Sequence, residues 1–499
     1  MLTLLIVIAL LTALELLLWL PIGKSRQQYA AVLILISVIS SVYLVIRQLD
    51  IFTVLYAYVT VYRVVSLARV ATPRRQEKHL YRLARRTTVF LIGAQLLLLA
   101  ASYGLSKLTV PDEIVPYVAG AGLIISIGFL LNTQRQLLTT RQPKVIEQYA
   151  VRDLPTLTVA IPARNETDSL NECLKTLLHS TYPKLEIIVL DDCSQNKRTP
   201  EIIKSFAHDG VRFIAGKPPD ANWLAKNYAY EQLAATANGE LLLFCGVDAR
   251  FMPETLTLLV ESMLQKKKSM MSVLPANVVP PKTEFESLLV QPTRYAWELV
   301  LPRRPFQRPA VLSTCWIINK KLLESAGGFA ACSRAISPER TLARYAATHD
   351  DGYSFMQSDT LTGVSSDKPF NEQQDTAVRT RYPLLHQHIE LAAFVTVAEL
   401  IVFALPFITL LGALASGYTS VILLASANVI IVTIIYAQVV QIAYRRFIFR
   451  SLWLLPFATL YDVAILNYSL YKYEFSEVFW KGRNVCIPVM RVIPELPKI

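Results

Sequence analysis

The sequence predicts an α/β domain built on a mostly parallel sheet and inserted between two groups of membrane-spanning helices. Three observations predict it. Residues 156–248 hold four short apolar runs separated by helix-like segments, and strand–helix–strand alternation favours a parallel sheet with helices on its faces. Three of the runs end in polar or acidic clusters, and ligands of such sheets bind beyond the carboxyl ends of the strands. Over 499 residues the hydrophobic content is 53%, with a mean hydropathy of +0.37. That apolar excess sits before about residue 133 and after about residue 388, while the middle is polar enough to face water around a core of its own.

Five apolar stretches precede the domain, at about 2–21, 29–46, 50–69, 87–107 and 115–132. Each approaches the ~20 residues that cross a bilayer. The loop 69–86 carries Arg69, Arg74, Arg75, Lys78, Arg82, Arg85 and Arg86 and is expected on the cytosolic side. Threading from there places Met1 outside and Lys24, Arg26 and the chain after Asn132 inside. Two more spans, about 391–414 and 418–442, follow the domain, then basic Arg445, Arg446 and Arg450. The apolar segment 451–470 contains Pro456, Asp462 and Asn467, and a tail with Lys472, Lys481, Arg483, Arg491 and Lys498 comes after it. A full crossing would put that basic tail outside, so the segment is expected to be re-entrant or interfacial. Glu15 and Glu399 lie within spans, where an acid either serves function or pairs inside the bundle. The expected organisation is a membrane region 1–135, a linker 136–154, a cytosolic domain 155–385, a second membrane region 386–474 and a cytosolic tail 475–499. The protein is thus expected in the plasma membrane as a multi-pass chain.

Within the domain, runs 156–161, 185–190, 211–216 and 240–245 read as strands, and 269–275 as a fifth. Thr167 or Asp168 caps a helix to about His179, which Tyr182 and Pro183 end. Pro253 suits the first turn of a helix to about Gln265, and Gly327, Gly328 and Phe329 form a turn. The first strand runs into Pro162, Ala163, Arg164, Asn165 and Glu166, the second into Asp191, Asp192, Cys193 and Ser194, and the fourth into Gly246, Val247 and Asp248. Clustered carboxylates repel a phosphate but hold it through a divalent cation. The arrangement therefore predicts a metal-assisted nucleotide or sugar-nucleotide site.

The net charge of +12 would suit nucleic acid, but the basic residues flank apolar spans, so they report membrane topology and no nucleic-acid partner is expected. Six cysteines without a C-x-x-C pair give neither a zinc signature nor a disulfide framework, and reduced thiols are expected. The first span lacks the basic start and small-residue site of a cleaved signal peptide. No H-E-x-x-H pattern or phosphate-cradling G-x-x-x-x-G-K-[ST] loop occurs.

Five landmarks give a resemblance: Ile161 to Glu166, Asp191 to Ser194, Asn222 to Lys226, Val247-Asp248 with Phe251, and Trp480-Lys-Gly-Arg483. On them residues 155–385 resemble the family 2 glycosyltransferases of GT-A fold, and most of all the membrane enzymes that glycosylate carotenoid, hopanoid and ceramide lipids. The resemblance implies an α/β GT-A (nucleotide-diphospho-sugar transferase) domain with a mixed, mostly parallel sheet. It implies that Asp191 and Asp192 bind the uracil and ribose of a nucleotide-sugar donor. Their alternative is an Asx turn capping the next helix. Pro162, Arg164, Asn165 and Glu166 would line the same crevice, although Arg164 equally suits a surface. Lys226 would neutralise diphosphate charge, with Trp223 packing nearby. Asp248 falls on the last position of the family's Asp-x-Asp metal motif and would hold Mg²⁺ or Mn²⁺, while Gly246 replaces its first acid. Glu339 falls on the catalytic Asp position, with Pro338 where its acidic partner belongs. It would be the general base, or else Ser337-Pro338-Glu339 is a plain helix start. His349, Asp350 and Asp351 are its substitutes. Arg379, Arg381 and Tyr382 align with a Gln-x-x-Arg-Trp motif that has lost its Gln and Trp. Arg379 and Arg381, with Trp480, Lys481 and Arg483 of the tail, would hold the diphosphate or anchor at the interface.

The implied function is inverting, metal-assisted transfer from a nucleotide-diphosphate donor, UDP-linked, to a membrane lipid presented at the bilayer. Two alternatives stand beside it. One is a processive polysaccharide synthase, disfavoured by the altered arginine motif. The other is a glycosyltransferase-like sensor or scaffold without catalysis, favoured by Gly246 and Pro338.

Overall fold

The computed structural model describes residues 2–18, 26–71, 87–95, 114–141, 146–220, 222–278, 284–300, 309–349, 352–359, 363–444 and 452–485. Lys24, the basic residues from Arg74 to Arg86, Arg445, Arg446, Arg450, Arg491, Lys498, Asp350, Asp351 and most of the expected span 87–107 lie outside the described residues. The chain forms two compact units. They do not follow the hydropathy boundaries, because long helices contribute to both. The first takes Met1–Gly122, Arg381–Ala425 and Leu466–Ser476; the second takes Leu123–Thr380, Ser426–Ile465 and Glu477–Ile499.

In the first unit, apolar sequence gives helices Leu2–Leu17, Arg26–Arg47 and Ile51–Ala71. Among the described residues four helices are long and apolar enough to cross a membrane: Arg26–Arg47, Phe52–Ala71, Ile389–Ser416 and Thr419–Tyr444. Several polar side chains of this unit are paired, as low-dielectric surroundings favour. Glu15 meets Arg63 at 3.2 Å with both side chains buried, so the pairing alternative holds for this acid. Arg69 binds Glu474 at 2.6 Å and donates to the Tyr382 hydroxyl at 2.6 Å. Tyr62 donates to Asn467 Oδ1 at 2.9 Å. Helix Ile389–Glu399 passes through a π-helical turn, Leu400–Ala404, into Leu405–Ser416. Pro406 has no N–H and crowds the preceding turn, and the wider turn just before it absorbs that defect.

The second unit holds a seven-stranded sheet. Its strands are β1 Leu157–Ala163, β2 Leu185–Asp191, β3 Val211–Ala215, β4 Leu241–Cys245, β6 Met270–Leu274, β8 Cys315–Asn319 and β9 Tyr353–Gln357. Short strands β5 Ala249–Arg250, β7 Ala276–Asn277 and β10 Ser365–Ser366 form a second sheet, and β11 Phe479–Trp480 pairs with β12 Arg483–Asn484. The main order is β3-β2-β1-β4-β8-β6-β9, with β8 antiparallel to both neighbours and the remaining pairs parallel. This is the mixed, mostly parallel sheet expected. The five anticipated strands form within a residue or two of their predicted ends, whereas β8 and β9 were not anticipated. Pro162 falls inside β1, opposite Leu190, but the β1–β4 pairing ends at Ala160. Its missing N–H is therefore not needed on that side.

Alternation along the strands divides the core between the two faces. Val159, Ile161, Ile187, Val189, Leu243 and Cys245 pack on one side with Leu170, Leu174, Leu256 and Leu259. Ala160, Ile188, Leu190, Leu242 and Phe244 pack on the other with Tyr230, Leu233, Leu342 and Ala343. Because helices cover both faces, the strands read as near-continuous apolar runs. Helix Thr255–Gln265 begins two residues after Pro253, with Met252 N–H donating to Thr255 Oγ1. Helix Ile114–Thr140 runs past the expected span into what was expected to be linker. From Leu455 onward, segment 451–470 is part of one helix, Leu455–Phe475. Asp462 on that helix accepts from Thr293 Oγ1 and Trp297 Nε1, each at 3.1 Å.

Phe244 has no exposed surface and stacks on Trp316 at 4.6 Å beside Tyr230 and Phe329. Phe244→Ala is expected to destabilise the domain by about 3–5 kcal/mol, read as a lower midpoint of thermal unfolding.

Candidate active site

The strand order turns back on itself between β1 and β4, the switch point at which open α/β sheets bind ligands. Three charged clusters gather at the carboxyl ends of β1, β2 and β4, all within the second unit.

In the first, Asp192 follows β2 and is buried. Arg483 reaches it from the C-terminal hairpin, with Nη1 2.8 and 2.7 Å from its two carboxylate oxygens. The hairpin turns on Lys481 and Gly482, at φ 48° and 79°. Two positive-φ residues in succession suit a tight two-residue hairpin, and glycine takes the second place without strain. Arg164 is no surface residue. It is buried, donating from Nη1 to the carbonyls of Asp192 and Cys193 at 2.6 Å each and from Nε to the carbonyl of Lys481 at 2.9 Å. Asn165, at φ 51°, accepts from the N–H groups of Gln195 and Asn196. Asp191 accepts from the Ser194 N–H at 3.2 Å, which tightens the loop after β2, but the next helix, Arg198–Ser205, starts at Lys197 without a side-chain cap. Lys481 Nζ lies 3.0 Å from Glu166 and 3.7 Å from Glu372. Burial raises the carboxyl pKa values of Asp192 and Glu166, and Arg483 and Lys481 respectively oppose the rise.

In the second, Asp248 follows β4. Its Oδ2 accepts from Ser366 Oγ at 2.7 Å, and its carbonyl accepts from the Asp367 N–H at 3.1 Å. Asp367 is paired with Arg250 at 2.6 Å. Half-buried Lys368 comes next. Burial lowers its pKa to about 8, with the charges of Asp248, Arg294, Arg379 and Glu372 acting on it as well. Among the described residues no group of three or more His, Cys, Asp or Glu could hold a metal. Asp248 Oδ1 accepts no hydrogen bond among them, so the residues fit a cation held by one carboxylate oxygen, donor phosphates and water.

In the third, Glu339 stands in the first turn of helix Pro338–Thr348, buried, with Pro338 at the helix start. Lys226 Nζ lies 3.6 Å from its Oε2 and 5.1 Å from the centre of the Tyr230 ring. Burial lowers the lysine's pKa, and Glu339 opposes the fall. Buried Asn227 sets this pair. Its Nδ2 donates to the carbonyls of Cys332, Ser333 and Ala335 at 2.9, 3.0 and 2.8 Å, tying the loop before Glu339 to the helix that carries Lys226. Trp223 packs on Tyr228 at 5.5 Å.

Electrostatics link the clusters: Glu166 feels Asp248, Lys368 feels Asp248 and Arg379, and Lys226 feels Arg379 and Glu339. Arg379 also lies over the Trp480 ring at 5.1 Å. Arg381 is buried and belongs to the first unit. Two residues along a helix from Arg379, it cannot share its face. His349 is exposed and stacked on Tyr345. Reasoning from the sequence missed Asn227, Arg250, Arg294, Ser366, Asp367, Lys368 and Glu372. Only the crowding of charge from Asp367 to Glu372 hinted at any of them.

Asn227→Asp replaces an NH₂ group whose two hydrogens are shared among three carbonyls with an acceptor facing them. It is expected to cost about 1–3 kcal/mol or more, measured as a fall in the unfolding midpoint.

Residues 158–327 match the profile of glycosyl transferase family 2. The chain is 28% identical over 212 residues to the "Probable glycosyltransferase YdaM" of Bacillus subtilis, covering 39% of this chain and 48% of that one. It is 30% identical over 163 residues to the 4,4'-diaponeurosporenoate glycosyltransferase of Staphylococcus haemolyticus, covering 32% of this chain and 41% of the relative. It thus spans less than half the length of either relative. A solved structure of the mannosyltransferase PcManGT from Pyrobaculum calidifontis, in complex with GDP-Man and Mn²⁺, aligns with 72% of this chain and 99% of its own at 16% identity and a TM-score of 0.43. The family match thus falls on the part of the α/β domain whose strand ends carry these acids, and this stretch of the chain is similar to glycosyl transferase family 2.

Proposed function

We propose that this protein transfers a sugar from a UDP-linked donor to a hydroxyl or carboxyl group of a membrane lipid, with inversion. The observation that carries this reading is the union of acids from β1, β2 and β4 with Glu339 in one charge-linked group at the switch point. Asp191 and Asp192 would accept hydrogen bonds from the uracil imide and ribose hydroxyls. Pro162, Arg164, Asn165 and Glu166 shape the wall. Lys226, Arg379, Trp480 and Arg483 surround the diphosphate, and Arg381 steadies the helix that carries Arg379.

Glu339 removes the acceptor proton, and the acceptor oxygen then bonds to the anomeric carbon. The bond from that carbon to the UDP oxygen breaks, and the electron pair leaves with the diphosphate. A Mg²⁺ or Mn²⁺ at Asp248 supplies charge that offsets the diphosphate. Lys226, with Nζ 3.6 Å from Glu339 Oε2, helps to hold the carboxylate in place. A lipid acceptor is supported by four helices apolar enough to cross a membrane and by a relative named for a 4,4'-diaponeurosporenoate acceptor. On this reading the domain faces the cytosol at the plasma membrane, with the bilayer presenting the acceptor.

Purified protein given labelled UDP-sugars and membrane lipid extract with Mn²⁺ is expected to form lipid-soluble label. No label under any condition would overturn the reading. Glu339→Gln is expected to lower kcat by about 10²–10⁴ with little change in donor KM. Asp248→Ala is expected to abolish metal-dependent transfer, and label that persists in it would remove the cation from Asp248.

Arg483 holds down the pKa of a carboxyl that burial raises. In Arg483→Ala the Asp192 carboxyl protonates at higher pH, so a donor contact that needs the ionised form is lost sooner on acidification. The acid limb of the kcat/KM profile is expected to move to higher pH. An unmoved limb would show that Asp192 does not act through its charge.

A further inference from the structure

We infer that Ser366 is a positioning residue for Asp248, and that Gly246 is the companion residue that makes its position possible. The inference rests on the proposed role of Asp248 and adds the means by which a site with one motif acid aims it. A Cβ built at Gly246 would lie 2.4 Å from Asp248 Oδ1, far inside van der Waals contact. The carboxylate therefore folds back over the glycine, into space that a side chain at 246 would fill. Gly246 does not need unusual backbone freedom, since it is not among the positive-φ glycines. Its contribution is the absence of a side chain.

A carboxylate on one rotatable arm would not stay in that place unaided, because several rotamers are open to an aspartate at a strand end. Ser366 supplies the restraint. Its hydroxyl donates to Oδ2 at 2.7 Å, a charge-assisted bond of the stronger kind, and leaves Oδ1 as the oxygen facing a cation. Ser366 is itself fixed. It is buried, it pairs with Ala249 across β10 and β5, and the next N–H, from Asp367, binds the Asp248 carbonyl at 3.1 Å. The Arg250–Asp367 pair at 2.6 Å closes the same loop from the other side. Side chain and main chain of Asp248 are thus both held by two consecutive residues, Ser366 and Asp367, more than a hundred positions downstream. In a two-acid motif the second carboxylate would help to orient the cation. Here a hydroxyl–carboxylate pair does so instead.

The test uses the full chain in lipid nanodiscs, with UDP present, and counts bound Mn²⁺ by electron paramagnetic resonance of the free ion. Ser366→Ala is expected to weaken Mn²⁺ binding on the order of tenfold or more, as loss of a hydrogen bond to a charged group does. Ser366→Thr, which keeps the hydroxyl, is expected to restore it. Gly246→Ala, which displaces the carboxylate, is expected to weaken Mn²⁺ at least as much as Ser366→Ala. In transfer assays the Ser366→Ala defect should lie in the apparent KM for Mn²⁺ and be largely recovered in kcat at high Mn²⁺, which a misfolded domain would not show. Equal Mn²⁺ affinity in wild type and Ser366→Ala overturns the inference and leaves the metal reading intact. A wild-type protein that binds no Mn²⁺ with UDP overturns both.

Discussion

Bringing carboxylates together at the ends of neighbouring parallel strands is the constraint from which the rest of the domain follows. Each buried acid is costly to desolvate, and each raises the cost of its neighbour by repulsion. The chain meets this with cations drawn from distant positions: Arg483 for Asp192, Lys481 for Glu166, Lys226 for Glu339, Arg250 for Asp367. Lone removal of such a partner strands a buried charge. The hairpin is thus a structural part of the carboxyl end of β2, although more than 280 residues separate Arg483 from the strand it caps.

The membrane-type helices obey the same rule in a drier setting. Glu15 with Arg63, and Arg69 with Glu474 and Tyr382, are paired groups in which opposite charges offset one another. Such groups fix which helix faces meet, where apolar contact alone specifies little. Nothing about Glu15 calls for transport or proton relay once its partner is known. Asp462, which reads as an anomaly in an apolar segment, is likewise spent on Thr293 and Trp297.

The parts of the molecule set by local pattern were legible from the sequence. Apolar runs and their polar ends located β1, β2, β3, β4 and β6, and the helix start at Pro338 placed Glu339 correctly in a first turn. What stayed hidden depends on contacts distant in sequence. Strand β8 runs antiparallel between β4 and β6, and its register with β4, from Leu241 opposite Asn319 to Cys245 opposite Cys315, is set by partners rather than by composition. Arg164 could be read as a surface residue because nothing nearby reveals that carbonyls of Asp192, Cys193 and Lys481 converge on it. Gly246 looked like a lost motif acid. The missing information was the direction of the Asp248 carboxylate, which no spacing encodes.

Asp192 and Glu166 are each paired with a cation of the hairpin, and on the proposed function that bears on how a donor would enter. A nucleotide diphosphate brings anionic oxygens and hydroxyl donors together. The diphosphate would compete for Arg483 and Lys481, while ribose or uracil donors would replace those cations on Asp192 and Glu166. Both sets of bonds are charge-assisted and of the stronger kind, so the exchange would trade like for like. Arg164 keeps the base of the hairpin tied through the Lys481 carbonyl. Affinity for the donor would then be set by the difference between two such networks, which favours release of the spent nucleotide as much as its capture.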